Sequence, residues 1–164
     1  SCIRFSSSGC ENAINALQNG AKILTDTYMA EAAISPMAKR TINSDIQCIL
    51  DLAPKSIDST LTTRSAIGMR NIWLDFEKKE NLLNAPLVII GSSPTALISL
   101  LDLVESGHAT PSLIIGMPVG FIGVSESKSR LLNSECPHIV LEGSKGGASL
   151  AAATINSLLR AAEH

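Results

Sequence analysis

The stretch 87–107, L-V-I-I-G-S-S-P-T-A-L-I-S-L-L-D-L-V-E-S-G, predicts a buried strand, a tight turn and a helix. Its first four residues are all apolar, which indicates a strand covered on both faces. Ser93 is suited to cap the helix that follows, with Pro94 in the first helical position. Leucine and valine then recur at helical spacing over 95–105, and Gly107 is suited to end the helix. The stretch therefore predicts one strand–helix unit of an α/β fold.

The same alternation recurs on both sides of this unit. Strands are expected over 21–24, 46–50, 87–90, 112–115 and 138–141, and helices over 11–18, 27–33, 61–79, 95–105 and 148–162. Buried strands that alternate with helices favour a parallel sheet with helices on both faces. We expect a three-layer, doubly wound, mostly parallel five-stranded sheet of the flavodoxin-like type, with strand order 2-1-3-4-5.

Composition bounds the class of protein. The chain has 164 residues, 45% of them hydrophobic and 3% aromatic, and we expect a single domain over 1–164, with 53–59 as its loosest segment. A net charge of −2 argues against nucleic acid. No apolar run nears the roughly 20 residues that span a bilayer, and no secretion signal is visible. Four scattered cysteines without a C-x-x-C pair indicate reduced thiols in the cytoplasm rather than a metal site.

Three predicted strands run into loops rich in glycine, serine or proline, over 91–97, 116–128 and 142–148. Ligands of such sheets bind beyond the carboxyl ends of the strands. Backbone N–H groups at helix starts attract anions, and glycine permits close approach. Three such loops at one edge suit a ligand with several carboxylates, although glycines also follow strands simply because the chain must turn there.

Motifs for common cofactors and nucleophiles are absent. The glycines do not match G-x-G-x-x-G, the G-K-[ST] ending of a P-loop is missing, and no G-x-S-x-G is present. Asp26 follows a strand at the functional edge but is also suited to cap a helix, and Arg64 is either a site residue or a surface residue. Glu126 and Lys128 either enter the site or form a solvated helix start. None of the three histidines is placed as a general acid or base in a crevice.

The loops carry a family resemblance. P-S-L-I-I-G-M-P-V-G-F-I-G-V-S-E-S-K over 111–128 closely resembles the precorrin-8X (cobalt-precorrin-8) methylmutases. G-S-S-P-T-A-L over 91–97 is similar to that family's G-N-A-P-T-A-L, and G-S-K-G-G-A over 143–148 to its G-x-K-G-G-S. Weaker blocks, D-T-Y-M over 26–29 and T-R-S over 63–65, follow in family order, so the resemblance covers nearly the whole chain.

The resemblance implies an isomerase of cobalamin biosynthesis. It would move the C-11 methyl group of precorrin-8X, or of its cobalt form, to C-12 by a 1,5-sigmatropic shift, giving hydrogenobyrinic or cobyrinic acid. No cofactor or metal is implied, and a homodimer is expected. Residues expected to bind the corrinoid tetrapyrrole are Asp26, Arg64, Ser92, Ser93, Thr95, Gly116, Pro118, Gly120, Phe121, Glu126, Ser127, Lys128, Lys145, Gly146 and Gly147.

Departures from the family pattern leave alternatives open. The family's catalytic histidine lies in an N-terminal segment ahead of the part that matches Ser1, so the chain is expected to lack that segment and its catalytic residue stays unknown. An alternative is a non-catalytic tetrapyrrole-binding module that kept the pocket. A third is a flavodoxin-like domain for another anionic ligand. Ser92 and Ser93 in place of Asn and Ala, and Ala148 in place of Ser, are milder changes.

Overall fold

A computed structural model of the chain describes residues 2–79 and 84–164. Its strands are β1 (Ile3–Phe5), β2 (Ile23–Thr25), β3 (Ile46–Cys48), β4 (Leu87–Ile90), β5 (Leu113–Gly116) and β6 (His138–Leu141). Its helices are α1 (Gly9–Gln18), α2 (Tyr28–Arg40), α3 (Arg64–Lys79), α4 (Pro94–Glu105), α5 (Val124–Leu132) and α6 (Ala148–Ala162), and one turn of 3₁₀ helix, Ile49–Leu52, follows β3.

The six strands form one sheet in the order β1-β6-β5-β4-β2-β3. Five of them are parallel, and their order confirms the predicted one. The predicted number of five strands is wrong, because β1 adds an antiparallel strand beside β6. Three residues, I-R-F, form β1, and all three side chains are exposed. An exposed edge strand this short has no buried run by which a sequence pattern would reveal it.

One helix and several boundaries also differ from prediction. The predicted helices do not include α5, although a solvated helix start at Glu126 and Lys128 is one of the two alternatives for these residues. The helix is present, but Lys128 is buried and not solvated: the buried positions Val124, Ser127, Lys128 and Leu131 have helical spacing and include a serine and a lysine. A hydrophobic pattern therefore does not show this face. The predicted 27–33 helix extends to Arg40 as α2, and the predicted 46–50 strand ends at Cys48, where the 3₁₀ turn begins.

Alternate residues of each parallel strand feed two separate cores. Leu87 and Ile89 of β4 pack with α1, α2 and α6 on one face of the sheet. Val88 and Ile90 pack with α3, α4 and α5 on the other. Both faces of the sheet are thus buried, as the continuous apolar runs predicted.

The strand order reverses at β2. From β2 the chain first adds β3 on one side and then β4 on the other, so the crevice between the carboxyl ends of β2 and β4 is the topological switch point. Ligands of doubly wound sheets bind at this position. The loops that follow β4, β5 and β6 leave the sheet at the same edge.

Candidate functional site

Asp26 is fully buried at the switch point, directly after β2. One carboxylate oxygen accepts the backbone N–H of Gly91 at 3.1 Å, and the other accepts those of Ser92 at 2.8 Å and Ser93 at 2.7 Å. Burial raises the pKa of Asp26, and the three N–H groups oppose that rise. The carboxylate therefore holds the loop after β4 in place.

The alternative prediction for Asp26, a helix cap, is wrong. Thr27 caps α2 instead, since its side-chain oxygen accepts the backbone N–H of Ala30 at 3.1 Å. The predicted cap of α4 is confirmed, because the Ser93 side chain accepts the N–H of Ala96 at 3.2 Å.

The loops after β4, β5 and β6 are packed against one another. The N–H of Gly147 donates to the carbonyl oxygen of Met117 at 2.9 Å, which joins the loops after β6 and β5. A Cβ on Gly146 would overlap the Met117 carbonyl, and one on Gly91 would lie 2.7 Å from the Cα of Ala148. Two glycines are thus required by close backbone approach, and the three loops form one continuous surface.

Replacing Gly146 by alanine is expected to force these loops apart. Since the added methyl group would meet backbone rather than a movable side chain, we expect a loss of roughly 1–3 kcal/mol in the free energy of unfolding. Urea denaturation checks this value. Ser144→Ala, at an exposed position of the same loop, is the matched control and should change stability by less than about 0.5 kcal/mol. Equal stabilities of the two variants would contradict the packing described.

Lys128 of α5 is buried, and its ammonium group is held by the loop after β6. It donates to the carbonyl oxygens of Gly143 at 2.8 Å and Lys145 at 2.9 Å. Burial lowers the pKa of this amine. Two of its three donors are engaged by backbone, so Lys128 supports the loop that carries Gly146 and Gly147.

A cavity of about 590 Å³ lies between the loops after β5 and β6. Phe121, on its rim, has a fully exposed side chain, and the neighbouring Ile122 is 93% exposed. The two residues are adjacent and together form an apolar patch beside the cavity, and such patches are found at surfaces that contact another molecule. The cavity lining comprises Gly120, Phe121, Val124, Ser125, Lys128, Ser129, Leu132, Glu142, Gly143 and Ser144.

Not every predicted site residue presents a free functional group. Ser127 is buried, and its hydroxyl donates to the carbonyl of Val124 at 2.9 Å. Gly116 and Pro118 are buried beneath the loop surface, whereas Glu126 and Lys145 are exposed. Arg64 is exposed at the start of α3, and its Nε donates to the carbonyl of Pro54 at 2.8 Å. Binding of substrate by these residues stays a prediction.

Two residues outside the predicted set lie at the same edge. Thr63 Oγ1 is 2.7 Å from Thr95 Oγ1. Tyr28 donates its hydroxyl to Asp51 at 2.7 Å, which raises the pKa of the phenol to about 12. Tyr28 and Thr63 lie in the two short blocks, 26–29 and 63–65, that resemble the family. That resemblance is the sequence signal by which both residues could have been predicted.

Two classes of feature are absent from the part of the chain that the structure describes. Within 2–79 and 84–164, no three His, Cys, Asp or Glu side chains are grouped so as to hold a metal ion. Over the same residues, no helix combines the length and the apolar character needed to cross a membrane.

Comparisons with known proteins all find similarity to precorrin-8X or cobalt-precorrin-8 methylmutases. A family model described as precorrin-8X methylmutase (CbiC) matches residues 1–161. A cobalt-precorrin-8 methylmutase of Synechocystis sp. is 38% identical over 146 residues, which are 89% of this chain and 63% of that protein. A precorrin-8X methylmutase of Pseudomonas aeruginosa is 35% identical over 164 residues, covering 95% of this chain and 73% of its own length.

A solved structure agrees with these sequence matches. The precorrin-8X methylmutase from Thermus thermophilus superimposes with a TM-score of 0.79 at 32% identity, over 98% of this chain and 76% of that one. The chain therefore resembles these proteins along almost its whole length, while it spans 63% of the length of the Synechocystis relative.

Proposed function

Since the chain belongs to the precorrin-8X methylmutase family, we propose that it forms the corrinoid-binding body of an isomerase of cobalamin biosynthesis. The reaction is migration of a methyl group from C-11 to C-12 of precorrin-8X or cobalt-precorrin-8. The product is hydrogenobyrinic or cobyrinic acid. The family comparisons favour this function over a non-catalytic tetrapyrrole-binding module.

The observation that carries this proposal is the joined loop surface beside the switch point. A corrinoid presents an apolar ring with carboxylates at its periphery. The exposed Phe121 and Ile122 suit the ring, and the exposed cations of Arg64 and Lys145 suit carboxylates. At Gly147 a Cβ would meet nothing within 4 Å, so a ligand can approach the backbone of this loop closely there.

The chemical demands on the protein are limited. A methyl shift within one molecule needs no external electron donor, so the protein holds the ring in a reactive geometry and assists protonation of a ring nitrogen. We assign the loops after β4, β5 and β6 to the first task. The second belongs to the histidine that the family carries in a segment ahead of the part matched here.

The direction of β1 is consistent with that division of tasks. Because β1 is antiparallel to β6, its first residue lies at the carboxyl edge of the sheet, with Ile3 opposite Leu141. The N–H of Glu142 donates to the carbonyl of Cys2 at 2.8 Å. A segment placed ahead of β1 would therefore enter the molecule beside the loop after β6, next to the proposed binding surface.

An activity assay tests the proposal. The chain is joined at Ser1 to the N-terminal segment of the Pseudomonas aeruginosa relative, and conversion of precorrin-8X is followed by the change in corrin absorbance. We expect turnover by the joined protein and loss of turnover when the histidine of the added segment is replaced by alanine. Folded joined protein that binds the substrate and never converts it would contradict the proposed activity.

We further propose a cytoplasmic homodimer. All four cysteines are free thiols, including the exposed Cys2, which suits a reducing compartment. In one copy of the chain, large apolar side chains are exposed near the edge of the sheet where the parallel strands end, among them Met29, Leu61, Phe121 and Ile122. Light scattering after size exclusion tests the dimer, and a monomer at micromolar concentration would contradict it.

A further inference from the structure

Three hydroxyl groups form a chain at the edge of the switch-point crevice. Thr95 Oγ1 lies in the middle, 2.7 Å from Thr63 Oγ1 and 3.1 Å from Ser93 Oγ. Thr95 is exposed, and the other two residues are half-buried. We call Thr63, Thr95 and Ser93 the hydroxyl chain.

Both ends of the hydroxyl chain are fixed by helix starts. Thr63 Oγ1 accepts the backbone N–H of Ala66 at 3.1 Å in the first turn of α3. Ser93 Oγ accepts the N–H of Ala96 in the first turn of α4. The helices are tied again one turn further on, where Ser99 Oγ donates to the carbonyl of Ala66 at 3.0 Å. The end oxygens therefore have little freedom to move, and they fix the orientation of Thr95 between them.

The hydroxyl chain has one more proton than its internal hydrogen bonds require. Three hydroxyls supply three protons, and the two links between them use two. In the described part of the chain, no further acceptor takes the third. The Asp26 carboxylate is nearby in the fold but is occupied by the N–H groups of residues 91–93. One hydroxyl proton thus remains for an acceptor outside the protein.

We infer that Thr63 is a further positioning residue of the corrinoid site, which orients the Thr95 hydroxyl to donate to a peripheral carboxylate of the ring. This inference rests on the proposed function, since the acceptor is a carboxylate of the substrate. Thr63 acts through Thr95, and Thr95 makes the contact. The hydrogen bond between Thr63 and Thr95 also ties the long connection after β3 to the site.

A double-mutant cycle with hydrogenobyrinic acid as the probe tests this role. Thr63→Val and Thr95→Val are made singly and together, and Kd is measured from the corrin absorbance. We expect Thr63→Val to weaken binding by about fivefold, the worth of one ordinary hydrogen bond. In the Thr95→Val background the same change should leave Kd unaltered. Thr63→Ser, which keeps the hydroxyl, should restore wild-type binding.

Thermal unfolding separates positioning from helix capping. Loss of the cap at α3 should lower Tm by roughly 2–4 °C in both backgrounds, because the cap does not depend on Thr95. A Kd for Thr63→Val equal to that of the wild type would overturn the inference, and so would an equal weakening in both backgrounds. Failure of the folded wild-type chain to bind the probe would instead overturn the proposed function, and the inference with it.

Discussion

Replacing Asp26 by alanine is expected to lower the free energy of unfolding by about 3 kcal/mol and to abolish corrinoid binding. Three backbone N–H groups, of residues 91–93, lose a charged acceptor in a buried place. The gain from no longer burying a carboxylate offsets only part of that loss. Urea denaturation measures the first effect, and titration with hydrogenobyrinic acid measures the second.

Asp75→Ala is the matched control for Asp26. Asp75 is a part-exposed carboxylate on α3 that pairs with Lys79 at 3.1 Å, and such surface pairs contribute less than about 1 kcal/mol. We therefore expect nearly unchanged stability and unchanged binding. An Asp26→Ala protein as stable as this control would show that the carboxylate does not hold the loop after β4.

Replacing Lys128 by methionine is expected to lower the free energy of unfolding by about 2 kcal/mol. Methionine preserves most of the buried volume but leaves the carbonyls of Gly143 and Lys145 without their donor. Corrinoid binding should weaken as well, because the loop that carries Gly146 loses its support. Hydrogen exchange over 143–147 should be faster in the variant, and unchanged exchange there would contradict the supporting role.

Lys145→Met distinguishes a supporting lysine from a binding one. The Lys145 side chain is exposed, so its loss should leave stability within about 0.5 kcal/mol of the wild type. Its ammonium group is available to a carboxylate, so binding should weaken severalfold. If Lys128→Met alone affected binding, Lys145 would have no part in the site.

The sequence is most informative where a strand is buried on both faces or a helix is buried along one whole face. For β4, β6 and α6 the predicted bounds agree with the structure, because apolar runs and helical spacing are direct consequences of burial. This reasoning cannot predict β1, because its three residues are exposed and show no pattern of burial. The position of β1 in the sheet is determined by its pairing with β6. In α5 it fails because a buried lysine occupies a core position.

For the candidate site, the sequence predicts which loops lie at one edge of the sheet better than it predicts which groups each side chain contacts. The three loops were expected at one edge, and the strand order places them there. Substrate contact by Asp26 and Lys128 stays a prediction, and the structure adds hydrogen bonds between these two side chains and loop backbone that the sequence does not show. Gly91 is 65 residues from Asp26 along the chain, and Lys145 is 17 residues from Lys128. No local sequence pattern therefore reveals these hydrogen-bond partners. The same holds for Thr63, whose contact with Thr95 spans 32 residues.

Titration of the chain with hydrogenobyrinic acid tests the central claim most directly, which is that the joined loops after β4, β5 and β6 bind a polycarboxylate corrinoid. The account predicts saturable binding of one corrinoid per chain, strongly weakened by Phe121→Ser and by esterifying the carboxylates of the ligand. Phe121 is fully exposed, so that variant should fold normally. A folded chain that shows no saturable binding, or binds the neutral ester equally well, would contradict it.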